Sequence, residues 1–488
     1  MPYPSVSLSC FIAVVSSAAG QAATTASELK FESSNKQLES AFGWAKSQAL
    51  AYSHDGTDPV GPWYEAALPG RNAFCMRDVS HQANGAAALG LNKANFNMLQ
   101  RFAAAVAPER DWAGYWEIDV TGKPAPIDYV NDQDFWYNLP ANFDVLDAVF
   151  RMWNWTGDDT YVVDPQFKRF FRMTSKEYIV AWQLEPERVL ARPRIMNRRL
   201  VGAKNSKTRG IPSYDEGQGD FTLGVDLLAA EHLAFIDLAF LADRNQDSHL
   251  QGEYLQTAAH ISELLEKYAW STEGRHYHGR LSSTGVGHGT GDLFVLYFNA
   301  TSNPDRIRGA LDYLMSPAYL HGLNIELESY LPKILLNHGE SAAAYERILA
   351  LTDLGRMRRE YPEVSFAIVD AFVAGIMGIE ARRAAGQSDV TIQTTSRLLQ
   401  ADETATISGV HIQGGIVDVS HLGCQRTSFR NRSDKSLQWR ACFWGIHEEL
   451  FVNGKSTVAT VDRNMKSKPM SSIAIKVAPG SEVTVSLH

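Results

Sequence analysis

Apolar and polar positions alternate along this chain with two different periods. Six segments carry an apolar stripe at helical spacing and a polar remainder: residues 37–53, 93–107, 159–181, 250–270, 304–315 and 341–354. In the fourth, Leu250, Tyr254, Leu255, Ala258, Ile261, Leu265 and Tyr268 form one stripe, while Glu253, Glu263, Glu266 and Lys267 fall outside it. That is a helix with one wet face. Six other segments, 79–89, 134–152, 221–241, 291–298, 323–336 and 364–379, are apolar or small nearly all round. A helix of that kind has to be covered on every side. Because the two kinds alternate, the pattern predicts a mainly α fold, an (α/α)6 toroid of six inner helices wrapped by six outer ones.

Near Gly386 the period changes from helical to alternating. Runs at 404–410, 415–420, 437–444, 449–452, 473–477 and 483–487, with turns at Asn453-Gly454 and Pro479-Gly480, predict a small β-sandwich-like unit. The expected division is a helical catalytic domain over residues 23–386 and a β-rich domain over 387–488, with residues 1–22 as a signal peptide.

In an alternating ring the connections from inner to outer helices are short, as at Asn337-His338-Gly339. Those from outer to inner are longer and hold the aromatics and acids. They gather at one end, at the N-termini of the inner helices, where free N–H groups and the positive dipole end favour anionic side chains and polar ligands.

Composition narrows the function. Of 488 residues, 46 are Lys or Arg and 55 Asp or Glu, a formal net charge of −9, so no basic surplus exists to neutralise phosphates and a nucleic-acid partner is excluded. The basic stretch 188–209 lacks interleaved aromatics and reads as a solvated loop. The apolar run 8–15 is too short to span a bilayer, which takes about 20 residues. It precedes small residues that suit cleavage after Ala22, so the chain is expected to be secreted. N-glycans are then expected at Asn154, Asn299 and Asn431, which open Asn-X-Ser/Thr sequons. Cys10 would leave with the signal peptide, and Cys75 reads as a buried thiol. Cys424 and Cys442 lie symmetrically about Ser433 on two strand-like runs, which as a hairpin would allow a cross-strand disulfide. Neither C-x-x-C nor H-E-x-x-H occurs, so no metal and no cofactor is expected. Asp243 to Asp247 starts like a calcium loop, but Ser248 replaces its glycine and Tyr254 its final acid, so it reads as a turn.

The six longer loops are chemically specific. The first contains Arg71, Arg77 and Asp78; the second Trp112, Trp116, Asp132, Trp136 and Tyr137; the third runs Tyr214-Asp215-Glu216-Gly217-Gln218-Gly219-Asp220. His288 stands in the fourth, Tyr319 with Glu326 and Glu328 in the fifth, and Glu360 and Glu363 in the sixth. Rings stack on the apolar faces of sugars and carboxylates bond their hydroxyls, so the expected ligand is a carbohydrate. Bland alternatives stand beside this: Arg77-Asp78 as an ion pair capping a helix, Asp132 as a cap, and Glu360 or Glu363 paired with Arg356, Arg358 or Arg359.

Glycosidic hydrolysis needs one protonated and one ionised carboxyl. Like charge among Asp215, Glu216 and Asp220, with Tyr214 and Phe221 as cover, would raise the proton affinity of an acid there. Glu360 or Glu363, before the last inner helix, could supply the base. In this layout the chain resembles the six-hairpin (α/α)6 glycoside hydrolases: glucoamylases, trehalases, processing α-glucosidases and α-L-rhamnosidases. The resemblance covers residues of about 35–385. The run Asp220-Phe221 followed by Val225-Asp226-Leu227 is similar to a trehalase acid loop, and Asp215-Glu216…Asp220 resembles the acidic cluster of α-L-rhamnosidases. It implies an acid at Glu216 or Asp220, a base at Glu363 or Glu360, and an inverting mechanism.

The expectation is therefore a secreted glycoside hydrolase acting on small glycosides or oligosaccharide ends. A polysaccharide lyase or sugar epimerase on a similar barrel, and a silent carbohydrate-binding protein, are the alternatives. Ultraviolet-absorbing unsaturated products would single out the lyase, and ligand affinity without product the silent binder.

Overall fold

The structure is a computed structural model that describes residues 28–192, 208–215, 223–282, 287–383, 390–462 and 468–488. The expected signal peptide, Cys10, Glu216 and Asp220 lie outside those residues, as does the side chain of His288.

Twelve helices carry the N-terminal part. They are α1 (Lys36–Ala51), α2 (Met76–Ala88), α3 (Asn92–Ala105), α4 (Ala141–Thr156), α5 (Pro165–Met173) and α6 (Val225–Arg244). The rest are α7 (Ser248–Leu264), α8 (Asp292–Tyr297), α9 (Pro304–Leu314), α10 (Leu331–Asn337), α11 (Ser341–Thr352) and α12 (Pro362–Asp370). Local signals start several of them. Asn35, Asp164 and Asn303 cap α1, α5 and α9 by accepting first-turn N–H groups, and Pro165 and Pro304 hold the first helical position.

The even-numbered helices pack in a closed circuit: α2 on α4, α4 on α6, α6 on α8, α8 on α10, α10 on α12, and α12 back on α2. Odd-numbered helices lie over them, α1 on α12, α3 on α2 and α4, α7 on α6, α9 on α8 and α11 on α10. Burial follows the sequence pattern, since every residue of α12 is buried whereas α7 buries only Tyr254, Ala258 and Ile261. The α2–α12 contact is the tightest point of the circuit. A Cβ on Gly85 would lie 2.1 Å from the Phe366 carbonyl oxygen.

Two expected helices are shorter than their apolar runs. Residues 134–138 form a strand, because Phe135 and Tyr137 alternate with Trp136, and α4 begins only after Pro140. The run 323–336 is split into the turn Ile325–Glu328 and α10.

Two sheets follow. A seven-stranded sheet has the order Lys30–Ser33, Thr404–Ile412, Gly415–Leu422, Arg426–Asn431, Glu482–Ser486, Glu449–Val452, Lys455–Val458. The N-terminal strand thus pairs with the C-terminal region, Lys30 opposite Ser408. A five-stranded sheet runs Glu380–Arg383, Val390–Thr395, Leu437–Trp444, Met470–Val477, Thr460–Asp462. Phe429 of the first sheet stacks on Trp439 of the second, with centroids 5.1 Å apart. Trp155 of α4 ties the ring to the sheets by donating to the His411 carbonyl at 2.7 Å.

The Cys424–Cys442 hairpin is not formed. The two runs belong to different sheets, and Cys75, Cys424 and Cys442 are all free thiols. Cys424 donates instead to the Leu398 carbonyl at 3.3 Å. Of the sequon asparagines, Asn299 is exposed and Asn154 half-buried. Asn431 is wholly buried, its amide donating to the Lys435 and Val477 carbonyls, so the folded chain does not offer it for glycosylation. No helix among the described residues is long and apolar enough to cross a membrane.

Candidate active site

A cavity of about 380 Å³ opens at the N-terminal end of the inner helices. Arg77 and Asp78 reach it from the first turn of α2, Glu363 from the first turn of α12, and Glu326 from the turn preceding α10. The loop entering α2 adds Arg71, and the loop entering α4 adds Trp116, Glu117, Asp128, Asp134 and Trp136. A short antiparallel pairing of Ala73–Cys75 with Glu117–Asp119, Cys75 opposite Glu117, delivers Glu117 beside the start of α2.

Five of the carboxyls fall into two groups, three around Arg77 and two around Arg71. In the first, the Arg77 guanidinium lies 3.2 Å from Asp78 through Nε, with Nη2 3.5 Å from Glu326 and 3.9 Å from Glu363. Burial pushes the Glu363 carboxyl well above its usual range, and the charge and hydrogen bond of Asp78 push the same way against Arg77. In the second, Arg71 Nη1 lies 2.7 Å from Glu117 Oε2 and 3.8 Å from Asp128 Oδ2. Burial, reinforced by Asp128, pushes Glu117 up to about 8 despite Arg71. A proton on Glu117 is shared with the Asp128 carboxyl beside it, and apart from that contact Glu117 Oε1 and Asp128 Oδ2 have no hydrogen-bond partner among the described residues.

Tyr214 backs this arrangement. Its ring lies under Arg77, 5.4 Å from the guanidinium carbon, and 6.3 Å from the Trp116 ring. Its hydroxyl donates to Asp144 on α4, a carboxyl that burial pushes up to about 8. Its backbone N–H and the Ser213 hydroxyl both donate to Asp226 in the first turn of α6. Tyr214 is therefore fixed where the chain enters residues 216–222.

The structure brings together Arg71, Arg77, Asp78, Trp116, Trp136 and Glu363, with Tyr214 behind them. Other expected residues do not line the cavity. Trp112 is half-buried under Arg169, and Asp132 is held by Arg110 at 2.5 Å and by the Tyr129 hydroxyl at 2.7 Å. Tyr137 is wholly buried with its hydroxyl on Asn142 and Met76. Tyr319 packs on Tyr313, with centroids 5.7 Å apart. Glu360 is exposed beside Arg359, and Glu328 is buried against Arg347 and Arg356. Asp215 is exposed, 3.2 Å from Arg280 Nε.

Glu117 and Asp128 were not among the expected site residues. The signal in the sequence is an acid at position 117 enclosed by Trp116 and Ile118, a placement that costs free energy unless a buried partner compensates. Among the described residues no group of three or more His, Cys, Asp or Glu is arranged to hold a metal ion.

No family model matches the chain, and no curated protein matches it. Solved structures do. An α-L-rhamnosidase from Dictyoglumus thermophilum superposes with a TM-score of 0.59 at 14% identity, over 94% of this chain and 50% of that one. A GH78-family rhamnosidase of Bacillus sp. GL1 gives 0.52 at 12% identity, over 81% and 40%. A kojibiose phosphorylase candidate from the human microbiome gives 0.52 at 12% identity, over 93% and 68%. The chain spans about half the length, or less, of the two rhamnosidases. At these identities the likeness is one of fold.

Proposed function

We propose, on the premise of a six-hairpin glycosidase-like fold, that this protein hydrolyses glycosidic bonds of small glycosides or oligosaccharide ends in the cavity that holds Glu363. The helix circuit is then the inner ring of an (α/α)6 toroid over residues 23–386, with residues 387–488 as its β-rich companion. Residues 1–22 are proposed to direct secretion. One observation carries the catalytic reading: Glu363, buried against Asp78 and beside Arg77, lines a cavity that also presents Trp116, Trp136 and Tyr361.

A carboxyl whose proton affinity is raised well above the ordinary range is suited to protonate a leaving oxygen. Glu363 is therefore assigned as the proton donor, the reverse of the base role implied by the resemblance. The base, which would direct water at the anomeric carbon from the other side, is assigned to Glu216 or Asp220. Both follow closely on Tyr214, which is anchored against Arg77 and Trp116. Glu117, Asp128 and Arg71 are assigned to the sugar hydroxyls, because all three line the cavity and together offer donors and acceptors.

Water is favoured over phosphate as the acceptor. Among the described residues, Asp78, Glu117, Asp128, Asp134, Glu326 and Glu363 line the cavity against Arg71 and Arg77 as the only cations, and both arginines are already paired with carboxyls. An inorganic phosphate would meet acids wherever it meets a guanidinium.

Glu363→Gln tests the assignment. Turnover of natural glycosides is expected to fall by about 10³-fold. Glycosides with a nitrophenolate leaving group, which departs unprotonated, are expected to lose far less. Equal loss on both substrate types would move Glu363 to the base role, and near-normal rates on both would reject it from catalysis. Product formation that requires added phosphate would reject hydrolysis.

A further inference from the structure

We propose that a second cavity, at the opposite end of the helix circuit, is a separate binding site for a neutral polyhydroxylated molecule of monosaccharide size. It has a volume of about 510 Å³ and shares no lining residue with the cavity of Glu363. That volume lies within the range of about 300–1,000 Å³ typical of small-molecule sites. All six inner elements reach it: Asn84 from α2, Asp147 from α4, Asp237 from α6, Tyr297 from α8, Lys333 from α10 and Ala374 from the turns after α12. The edge strand Glu380–Arg383 of the five-stranded sheet forms its remaining wall.

The floor is polar and incompletely satisfied. Asp237 is only 4% exposed, and apart from a carboxyl–carboxyl contact with Asp147 its Oδ2 has no hydrogen-bond partner. It sits beside Asp147, whose Oδ2 accepts from Arg151 Nε at 2.7 Å. Asn154 also lines the cavity, and its buried Oδ1 has no partner either. A buried polar atom without a partner is costly, so a ligand that satisfies both atoms is favoured.

The charges decide which ligand. Four Asp or Glu and four Lys or Arg side chains line the cavity. Two pairs form among them, Arg151 with Asp147 at 2.7 Å and Arg382 with Glu380 at 2.8 Å, and Lys333 bonds Asp370, outside the lining, at 2.6 Å. The lining has equal numbers of the two signs. An added ion of either sign would meet opposition. A hydroxyl both donates and accepts, so it can bond Asp237 in either protonation state and donate to the Asn154 amide oxygen. Apolar side chains form the rim, Ile236 at 37% and Leu255 at 46% exposure, beside the Phe240 ring. Such a rim suits the carbon faces of a pyranose.

The inference is independent of the catalytic reading, and its test does not measure turnover. Binding of D-glucose, L-rhamnose and D-xylose to the full chain is followed by saturation-transfer NMR. Trp116→Ala disables stacking in the first cavity, and sulfate and glycine betaine serve as charged comparators. At least one sugar is expected to bind the Trp116→Ala protein. Adding Asp237→Leu or Asn154→Leu is expected to weaken that binding about tenfold or more. Asn154→Leu breaks no side-chain hydrogen bond of the folded protein, so it serves if Asp237→Leu fails to fold. Absence of sugar binding to Trp116→Ala, binding indifferent to the floor variants, or binding of the charged comparators instead would each overturn the proposal.

Discussion

The carboxyls of Asp78 and Glu363 meet at the N-termini of two neighbouring inner helices, α2 and α12, with one guanidinium, that of Arg77, addressing both. Two acids placed so close cannot both ionise cheaply in a buried site, and the proton affinity of Glu363 is raised well above its ordinary range. Each helix supplies one partner from its first turn, so the relative position of the helices sets the proton affinity.

Asp78→Asn removes the neighbouring charge while keeping the shape. Asp78 pushes Glu363 up, so its loss lowers the proton affinity of Glu363. Glu363 then ionises at lower pH, and the alkaline limb of kcat/KM on natural glycosides is expected to move to lower pH. Loss of rate at all pH values with an unmoved limb would mean that Asp78 acts on substrate and not through Glu363.

Gly85→Ala tests whether helix spacing sets the site. The added methyl would lie 2.1 Å from the Phe366 carbonyl oxygen, backbone that cannot yield without parting α2 from α12. The expected cost is about 1–3 kcal/mol in denaturant unfolding. Activity should fall as well, although Gly85 is about two helical turns from Asp78. A stable, fully active variant would separate the site from the helix contact.

Tyr214→Phe removes a hydroxyl that donates to buried Asp144 and leaves the ring under Arg77. An acceptor deprived of its donor costs about 1–3 kcal/mol, so the melting temperature is expected to drop while kcat/KM changes little. Tyr214→Ala also removes the ring and is expected to lower kcat/KM further. Equal kinetics for the two variants would show that the ring does not position Arg77.

The inner helices were legible in the sequence because a helix buried on all sides has no polar stripe, and α12 shows this over its whole length. Glu363 was legible too, since an acid in the first turn of such a helix must face the helix ends. Glu117 was not. Its burial comes from a strand of three residues pairing with Ala73–Cys75, a contact between loops with no period of its own. The strand Lys30–Ser33 escaped for the same reason, as its partners lie more than 370 positions away. The cysteine hairpin failed because alternation gives strands but not the sheet to which each belongs.

Glu117 ties stability to pH. Its folded-state proton affinity is raised to about 8 from an ordinary 4.5, so between those values the folded chain holds a proton that the unfolded chain has released. Folding is therefore favoured by acid in that window: the contribution is complete below about pH 4.5 and is lost as pH rises towards 8. One such group contributes at most about 1.4 kcal/mol per pH unit. Asp144, also raised to about 8, acts with the same sign. Glu117→Gln cannot release a proton, so its unfolding free energy should fall less steeply from about pH 5 to about pH 8. Glutamine keeps the shape of the protonated carboxyl, so the variant should be close to the parent in acid and gain on it as pH rises. Parallel curves for the two proteins would mean that the Glu117 carboxyl is ionised in the fold, and the proton shared with Asp128 would have to be abandoned.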